Sequence, residues 1–439
     1  VKSLAWTTLA VAALVIMGCN LTGKYTVGGN LTGLRGQGLV LEDNSGNDLS
    51  LASNGAFVFS SGIKNGDAYS VTVRTQPSNP SQTCTVNNGS GTIAKANVTN
   101  VVVSCSQAGR FAYVANQLSN NLSAYSIDSA TGNLTPVNGS PFAISGTTPV
   151  SLAVDPNGQF LYVVDNGSND VSVYAIDNTT GALAATGVPL PTGSSPESVT
   201  VDPTDSFLYV ANLASNSVSG YSIDSSTGQL TELVNSPFAV GTEPSSVKID
   251  PTGSFLYVTE FSVGKVAVFS IDPGTGSLST VSGSPFAAGT GALSVAFNPA
   301  GSVAYVANET AATISEYSIN ASTGALTAVS GSPLSTGSSP ESLAVDPAGR
   351  YLYAANVTAK NQVAAYSVSG SGALTLVGSP VAAGTFPVSI ALDPSGQFAY
   401  VANDTSNDIS VYAVNAGVLT QASHSPFAAG NQPHSIAID

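Results

Sequence analysis

The sequence predicts an all-β chain: a seven-bladed β-propeller of four-stranded antiparallel blades, closed by its C-terminal strand and preceded by a small β-sandwich-like domain. Three observations carry this prediction. A motif recurs at intervals of 46–48 residues from Gly109 to the end of the 439-residue chain. Charged residues make up only 8% of the chain, and Gly, Ser, Thr and Val are abundant, a composition that suits strands and turns better than helices. The last residues spell a strand that the first copy of the motif lacks.

The first element, residues 1–19, reads as an address. Lys2 gives a positive start, and an apolar run extends from Leu4 to Met17. That run is shorter than the ~20 residues of a membrane span but suits a signal-peptide core. It ends in Ile16-Met17-Gly18-Cys19, which resembles the lipobox of bacterial lipoproteins. The resemblance implies cleavage before Cys19, acylation of Cys19, and an extracytoplasmic protein whose contact with the membrane is its lipid anchor. Several acyl chains together hold a soluble domain on a bilayer where one would not. The competing reading is an ordinary signal peptide with a chance cysteine. With Cys19 lipidated, Cys84 and Cys105 remain as an even pair in an exported protein, and a disulfide is expected; two reduced, buried thiols are the alternative.

Residues 20–105 form the second element. Alternating runs such as Tyr69-Ser70-Val71-Thr72-Val73 and Val98-Thr99-Asn100-Val101-Val102-Val103 are separated by Gly, Asn and Asp clusters. Period-two runs with turn punctuation predict antiparallel strands, and the Cys84–Cys105 bridge is expected to pin the last two.

Residues 106–439 hold the repeat. The Asp of a Val-Asp-Pro element recurs as Asp155, Asp202, Asp250, Asn298, Asp346, Asp393 and Asp439. The Tyr of a Tyr-Val-Ala-Asn element recurs as Tyr113, Tyr162, Tyr209, Tyr257, Tyr305, Tyr353 and Tyr400. Each copy carries four strand signals, for example Ser198–Asp202, Phe207–Asn212, Val218–Ile223 and Leu230–Val234. Asp-Pro-x-Gly separates the first two, and Asp-x-x-Thr-Gly the last two, both good turn formers. Four antiparallel strands per copy make a propeller blade. The first copy begins at Gly109-Arg110-Phe111 without its opening strand, and His434–Asp439 matches that strand with nothing after it. The two ends are therefore expected to complete one blade, which removes an exposed edge.

The Tyr-Val-Ala-Asn tetrapeptides, the Asp-Pro-x-Gly-x-Phe-Leu-Tyr stretches and the Gly-Ser-Pro-Phe-Ala linkers resemble the YVTN-repeat propellers, which are grouped with the β-propeller lactonases. That family includes 6-phosphogluconolactonase, so the resemblance implies lactone hydrolysis. The repeated residues are turn and strand builders, and no catalytic residue is carried over from the family.

Propeller ligands collect where loops from every blade converge, so variation at an equivalent position is the useful signal. The residue opening the inner strand is Val150, Glu197, Ser245, Leu293, Glu341, Val388 and His434 in the seven copies. Glu197, Glu341 and His434 are candidate channel-mouth residues for acid–base or binding work; the bland alternative is a solvated strand start. A second ring is Asn116, Asp165, Asn212, Glu260, Asn308, Asn356 and Asn403, where Asn suits side-chain capping. Its oxygens could suit calcium, but their spacing is not that of an EF-hand, and turn capping is the favoured reading.

Several classes are excluded. The chain has net charge −15, with 22 acidic and 5 basic residues from Gly109 onward, so nucleic acid is not expected as a partner. The sequence lacks Gly-x-Ser-x-Gly, Walker A, His-Glu-x-x-His and Cys-x-x-Cys signatures, and its only histidines are His424 and His434; no metal or other cofactor is expected. A phosphorylated sugar acid calls for a basic pocket, whereas the propeller offers scattered Arg110, Lys248, Lys265, Arg350 and Lys360. Low charge and Ser/Thr/Asn-rich loops favour a binding or scaffold module facing polysaccharide or an envelope protein; the alternative is a hydrolase of sugar lactones.

Overall fold

The computed structural model describes residues 23–34, 38–77, 82–106, 111–357 and 361–439, and these contain strands and turns with no helix among them. The lipobox with Cys19, and the cations Arg110 and Lys360, lie outside the described residues. The chain divides into two compact units, Val1–Gln107 and Ala108–Asp439.

The first unit contains two four-stranded sheets. One orders Gly55–Val58, Val27–Thr32, Val98–Ser106 and Thr83–Asn87; the other orders Asn47–Leu51, Leu39–Asp43, Ala68–Thr75 and Ser90–Thr92. Alternate side chains meet in a core of Val27, Leu31, Leu39, Leu41, Phe57, Phe59, Val71, Val101 and Val103. Cys84 and Cys105 face each other in register on adjacent strands and are joined by a disulfide. Two features depart from the expected antiparallel arrangement. Val98–Ser106 pairs with Val27–Thr32 in parallel, and a short strand, Ser90–Thr92, leaves for the other sheet between the two bridged ones.

The second unit is a ring of seven blades. In blade 3 the strands are Pro196–Val201, Phe207–Asn212, Ser217–Ile223 and Leu230–Glu232, paired in that order. A further two-residue strand, Phe238–Ala239, pairs with the start of the third. Two residues are too few to show a period, which is why the sequence does not announce this fifth piece. The second strands lie between neighbouring blades and are buried on both faces, as in the all-buried Phe207–Asn212; hence their continuous apolar runs.

Blade 1 closes as the repeat implies. Phe111–Asn116 pairs with Asn121–Ile127 on one side and with Pro433–Ile438 on the other. Asp439 Oδ1 accepts the Phe111 N–H at 2.8 Å, as Asp155 Oδ1 accepts the Phe160 N–H in blade 2. The turn carboxylates in general receive backbone N–H groups, for example Asp202 from Ser206 and Phe207. Much of the negative charge is thus turn chemistry.

Two recurring sets of bonds tie each blade to the next, and a third holds the linker to its own blade. The repeat tyrosine hydroxyls donate to a turn-glycine carbonyl of the next blade: Tyr113 to Gly181, Tyr162 to Gly228, Tyr209 to Gly276, Tyr257 to Gly324, Tyr305 to Gly372 and Tyr400 to Gly132. The turn glycine serves twice. Gly228 has φ +70°, and a Cβ there would strike the Phe160 ring of the preceding blade. Around the channel, inner-strand serines accept the free N–H of the next inner strand, as Val199 N to Ser151, Val247 N to Ser198 and Leu152 N to Ser435 at 3.1–3.2 Å. This belt also runs through Ser294, Ser342 and Ser389, and it satisfies donors that an edge strand otherwise leaves open. Finally, within a blade, the linker serines Ser140, Ser236, Ser284, Ser332 and Ser425 accept a third-strand N–H, as Gly220 N to Ser236.

Candidate functional site

The seven variable residues that open the inner strands share one local device. The register between first and second strands shifts at each of them, for example between Pro196 and Ser198 at Glu197, and between Pro340 and Ser342 at Glu341. The same irregularity falls at Val150, Ser245, Leu293, Val388 and His434. A bulge adds one residue and re-aims its side chain. The repeat therefore delivers one freely chosen side chain per blade to one end of the ring. Glu197, Glu341 and His434 are half-buried there.

A second set of side chains faces them, and the sequence reading did not single it out. It is the residue after the Asn ring: Gln117, Asn166, Leu213, Phe261, Glu309, Val357 and Asp404. Its backbone N–H bonds the loop just before its own blade's inner strand, as Asn166 N to Thr148 O and Asp404 N to Phe386 O. In blade 2 its side chain meets the bulge residue of the following blade. Asn166 Nδ2 donates to Glu197 Oε1 at 2.9 Å and to Pro196 O at 3.1 Å. Glu309 and Asp404 act electrostatically on Glu341, and Asp404 on His434. Variation directly after Tyr-Val-Ala-Asn was the available signal.

No two of the three candidate residues sit on adjacent blades. They belong to blades 3, 6 and 1, with other blades between them. Glu197 stands with Asn166, whereas Glu341 and His434 are joined through Asp404. Burial raises the Glu341 carboxyl to about 7, with Glu309 and Asp404 adding repulsion. Burial also raises Glu197 to about 7, opposed by its bond from Asn166. Asp404 is raised by burial and pulled back by His434. His434 Nδ1 lies 2.9 Å from Val150 O. A carbonyl only accepts, so Nδ1 carries the proton and Nε2 is left for other partners.

Asparagines of the second ring tie the loop before their own blade's inner strand to the third strand, not the turn that follows them. Asn212 accepts from Gly193 N and donates to Ser217 and Ser219; Asn308 does the same with Gly289, Thr313 and Ser315. Glu260 stands opposite Lys265 in register. Among the described residues, no group of three or more His, Cys, Asp or Glu is arranged to hold a metal.

Lys265 faces Glu260, and exposed Arg350 pairs with Asp346 in a turn. Lys248 lies within an inner strand, where the other blades carry Ala153, Thr200, Ala296, Ala344, Ala391 and Ala437. Solvent reaches its side chain, yet surrounding protein lowers the proton affinity of its amine.

The model of one protein family, the seven-bladed β-propeller lactonases, matches residues 81–194, 152–249 and 241–435. Among solved structures, a provisionally assigned 6-phosphogluconolactonase of Bacteroides uniformis is 22% identical, with TM-score 0.67, over 76% of this chain and 100% of its own. The periplasmic gluconolactonase of Pseudomonas aeruginosa is 21% identical, with TM-score 0.65, over 75% of this chain and 98% of its own. A comparison with curated proteins gives no match. These likenesses establish the propeller, and the family match sets the lactonase-like reading above the binding module that composition suggested.

Proposed function

This chain belongs to the seven-bladed β-propeller lactonase family, and on that premise we propose that its channel rim hydrolyses uncharged sugar lactones. One observation carries the reading: Asp404 links a carboxyl raised to about 7, Glu341, to an imidazole with a committed Nδ1, His434. In the proposed reaction, ionised Glu341 takes a proton from water as the water oxygen bonds to the lactone carbonyl carbon. When doubly protonated, His434, its Nδ1 on Val150 O and Asp404 beside it, would donate from Nε2 to the developing oxyanion. Collapse breaks the ring C–O bond, and the departing alkoxide takes the proton back from Glu341. The product is the open hydroxy acid. Glu309 and Asp404 beside Glu341 repel anions, which favours an uncharged lactone over a phosphorylated one.

The test is turnover of a lactone panel by the purified protein. Glu341→Gln is expected to lower kcat/KM by roughly 10²–10⁴, and the parent activity to rise as pH passes about 7. Phosphorylated lactones should be poorer substrates than neutral ones. Equal rates in parent, Glu341→Gln and His434→Ala would remove the site. Polysaccharide or envelope-protein binding without turnover would restore the binding-module reading.

The same protein is proposed to work outside the cytoplasm, anchored through Cys19. The Cys84–Cys105 disulfide supports an oxidising compartment.

A further inference from the structure

At seven equivalent places a residue at the end of a second strand stands opposite the first residue of a third strand. The pairs are Asn116/Asn121, Asp165/Asp170, Asn212/Ser217, Glu260/Lys265, Asn308/Thr313, Asn356/Gln362 and Asn403/Asp408. In six of them a donor can meet an acceptor. The nearest comparison is blade 7, where Asn403 Nδ2 donates to Asp408 Oδ1 at 2.6 Å. Blade 2 sets two carboxyl groups against each other.

Asp165 is fully buried. Its Oδ2 receives the Ser172 hydroxyl at 2.7 Å, while its Oδ1 and Asp170 Oδ1 are both buried without a donor from any other residue. Two ionised carboxylates cannot occupy such a place, since each needs a proton donor and each repels the other. We propose that Asp165 and Asp170 share one proton, and that this proton fixes the strand end that presents Asn166 to Glu197 at the rim. Protonated Asp165 then plays the part that Asn403 plays in blade 7: its O–H donates to the Asp170 carboxylate.

The groups around the pair offer no substitute for the proton. From its own blade Asp165 faces Ser172, Asp170 and Tyr174, and Ser168 bonds the Asp170 carboxyl. The preceding link lays Gly146 against the Asp165 carboxyl, with Ser145, Thr147 and Thr148 around it. The next blade brings Tyr221 toward Asp170, and Glu197 at the far end of Asn166. None of these is a cation. Burial raises Asp165 to about 7, so the proton is held in mildly acidic surroundings and lost in alkaline ones. Its loss sets like charges against each other one residue from Asn166 and loosens the contact to Glu197. The shared proton does not depend on whether the rim hydrolyses a lactone.

The test uses the full chain with carboxyl-¹³C aspartate. One carboxyl signal is expected to titrate near neutrality, far above the ordinary aspartate range. That titration should vanish in Asp165→Asn, move down in Asp170→Asn, whose amide donates to Asp165, and persist in Glu197→Gln. Each asparagine recreates the Asn403–Asp408 arrangement, so both variants are expected to fold, and either suffices if the other does not. Thermal melting gives the second readout: Asp165→Asn should match the parent near pH 5 and melt above it near pH 8. Two carboxyls titrating in the ordinary range, or a melting difference independent of pH, would overturn the proposal.

Discussion

At the scale of single residues, the repeat provides its own controls. Tyr209 donates its hydroxyl to Gly276 O at 2.6 Å, whereas the Tyr353 hydroxyl is buried without a partner. The cause lies in the next blade. Blade 7 replaces the Asp-x-x-Thr-Gly turn with a two-residue Ala416-Gly417 hairpin between Asn415 and Val418, which supplies the hydroxyl with no acceptor. Tyr209→Phe should therefore destabilise the ring by about 1 kcal/mol, while Tyr353→Phe should be neutral or stabilising, because it removes an unsatisfied polar group. Urea unfolding midpoints of the two variants decide this. A related expectation concerns pH. Glu197 and Glu341 both stand at about 7 against an ordinary 4.5. The folded chain holds their protons more tightly than the unfolded chain does, so stability falls as pH rises from about 4.5 to about 7 and levels beyond. Glu197→Gln should flatten that fall, read from denaturation at several pH values.

At the scale of elements, the bulge and the closing strand matter most. Removing Pro433–Asp439 strips blade 1 of its inner strand and exposes the edge of Phe111–Asn116. A large drop in melting temperature with aggregation is expected, visible by calorimetry and light scattering. The milder Ser435→Ala removes one belt bond, to Leu152 N, and should cost about 1 kcal/mol. The blade strands, their turns and the closure could be read from Asp155 through Asp439 because each copy repeats the same turn chemistry. The bulge could not. It inserts one residue into a ladder without disturbing the 46–48-residue spacing, so nothing in the pattern marks Glu197 as re-aimed. Cross-blade neighbours were hidden for a related reason. Asn166 and Glu197 are 31 residues apart, and only the ring geometry shows that the position after each Asn faces the next blade's bulge. Glu309 and Asp404 were missed on that account, and with them the partners that separate Glu341 and His434 from Glu197. The parallel pairing of Val98–Ser106 with Val27–Thr32 was equally unreadable, because alternation fixes which face a residue takes but not the direction of its neighbour.

At the scale of the whole molecule, charge and location come together. The acidic turns are held by backbone donors: Asp177, for example, accepts from Thr179 and Thr180, and these bonds pull its carboxyl below the ordinary range. The net charge therefore does not require a cationic partner. The proposed anchor is tested by fractionation: Cys19→Ala should shift the protein from the membrane pellet to the soluble fraction, and unchanged pelleting would argue against lipidation. The serine belt has a consequence for how this molecule meets a small guest. Neighbouring inner strands are stitched to one another by Ser151, Ser198 and Ser435 and their counterparts, so the bore has little freedom to widen or narrow. Guests are chosen by an aperture already shaped before they arrive, and changing the preference should require exchanging mouth side chains, not retuning a hinge.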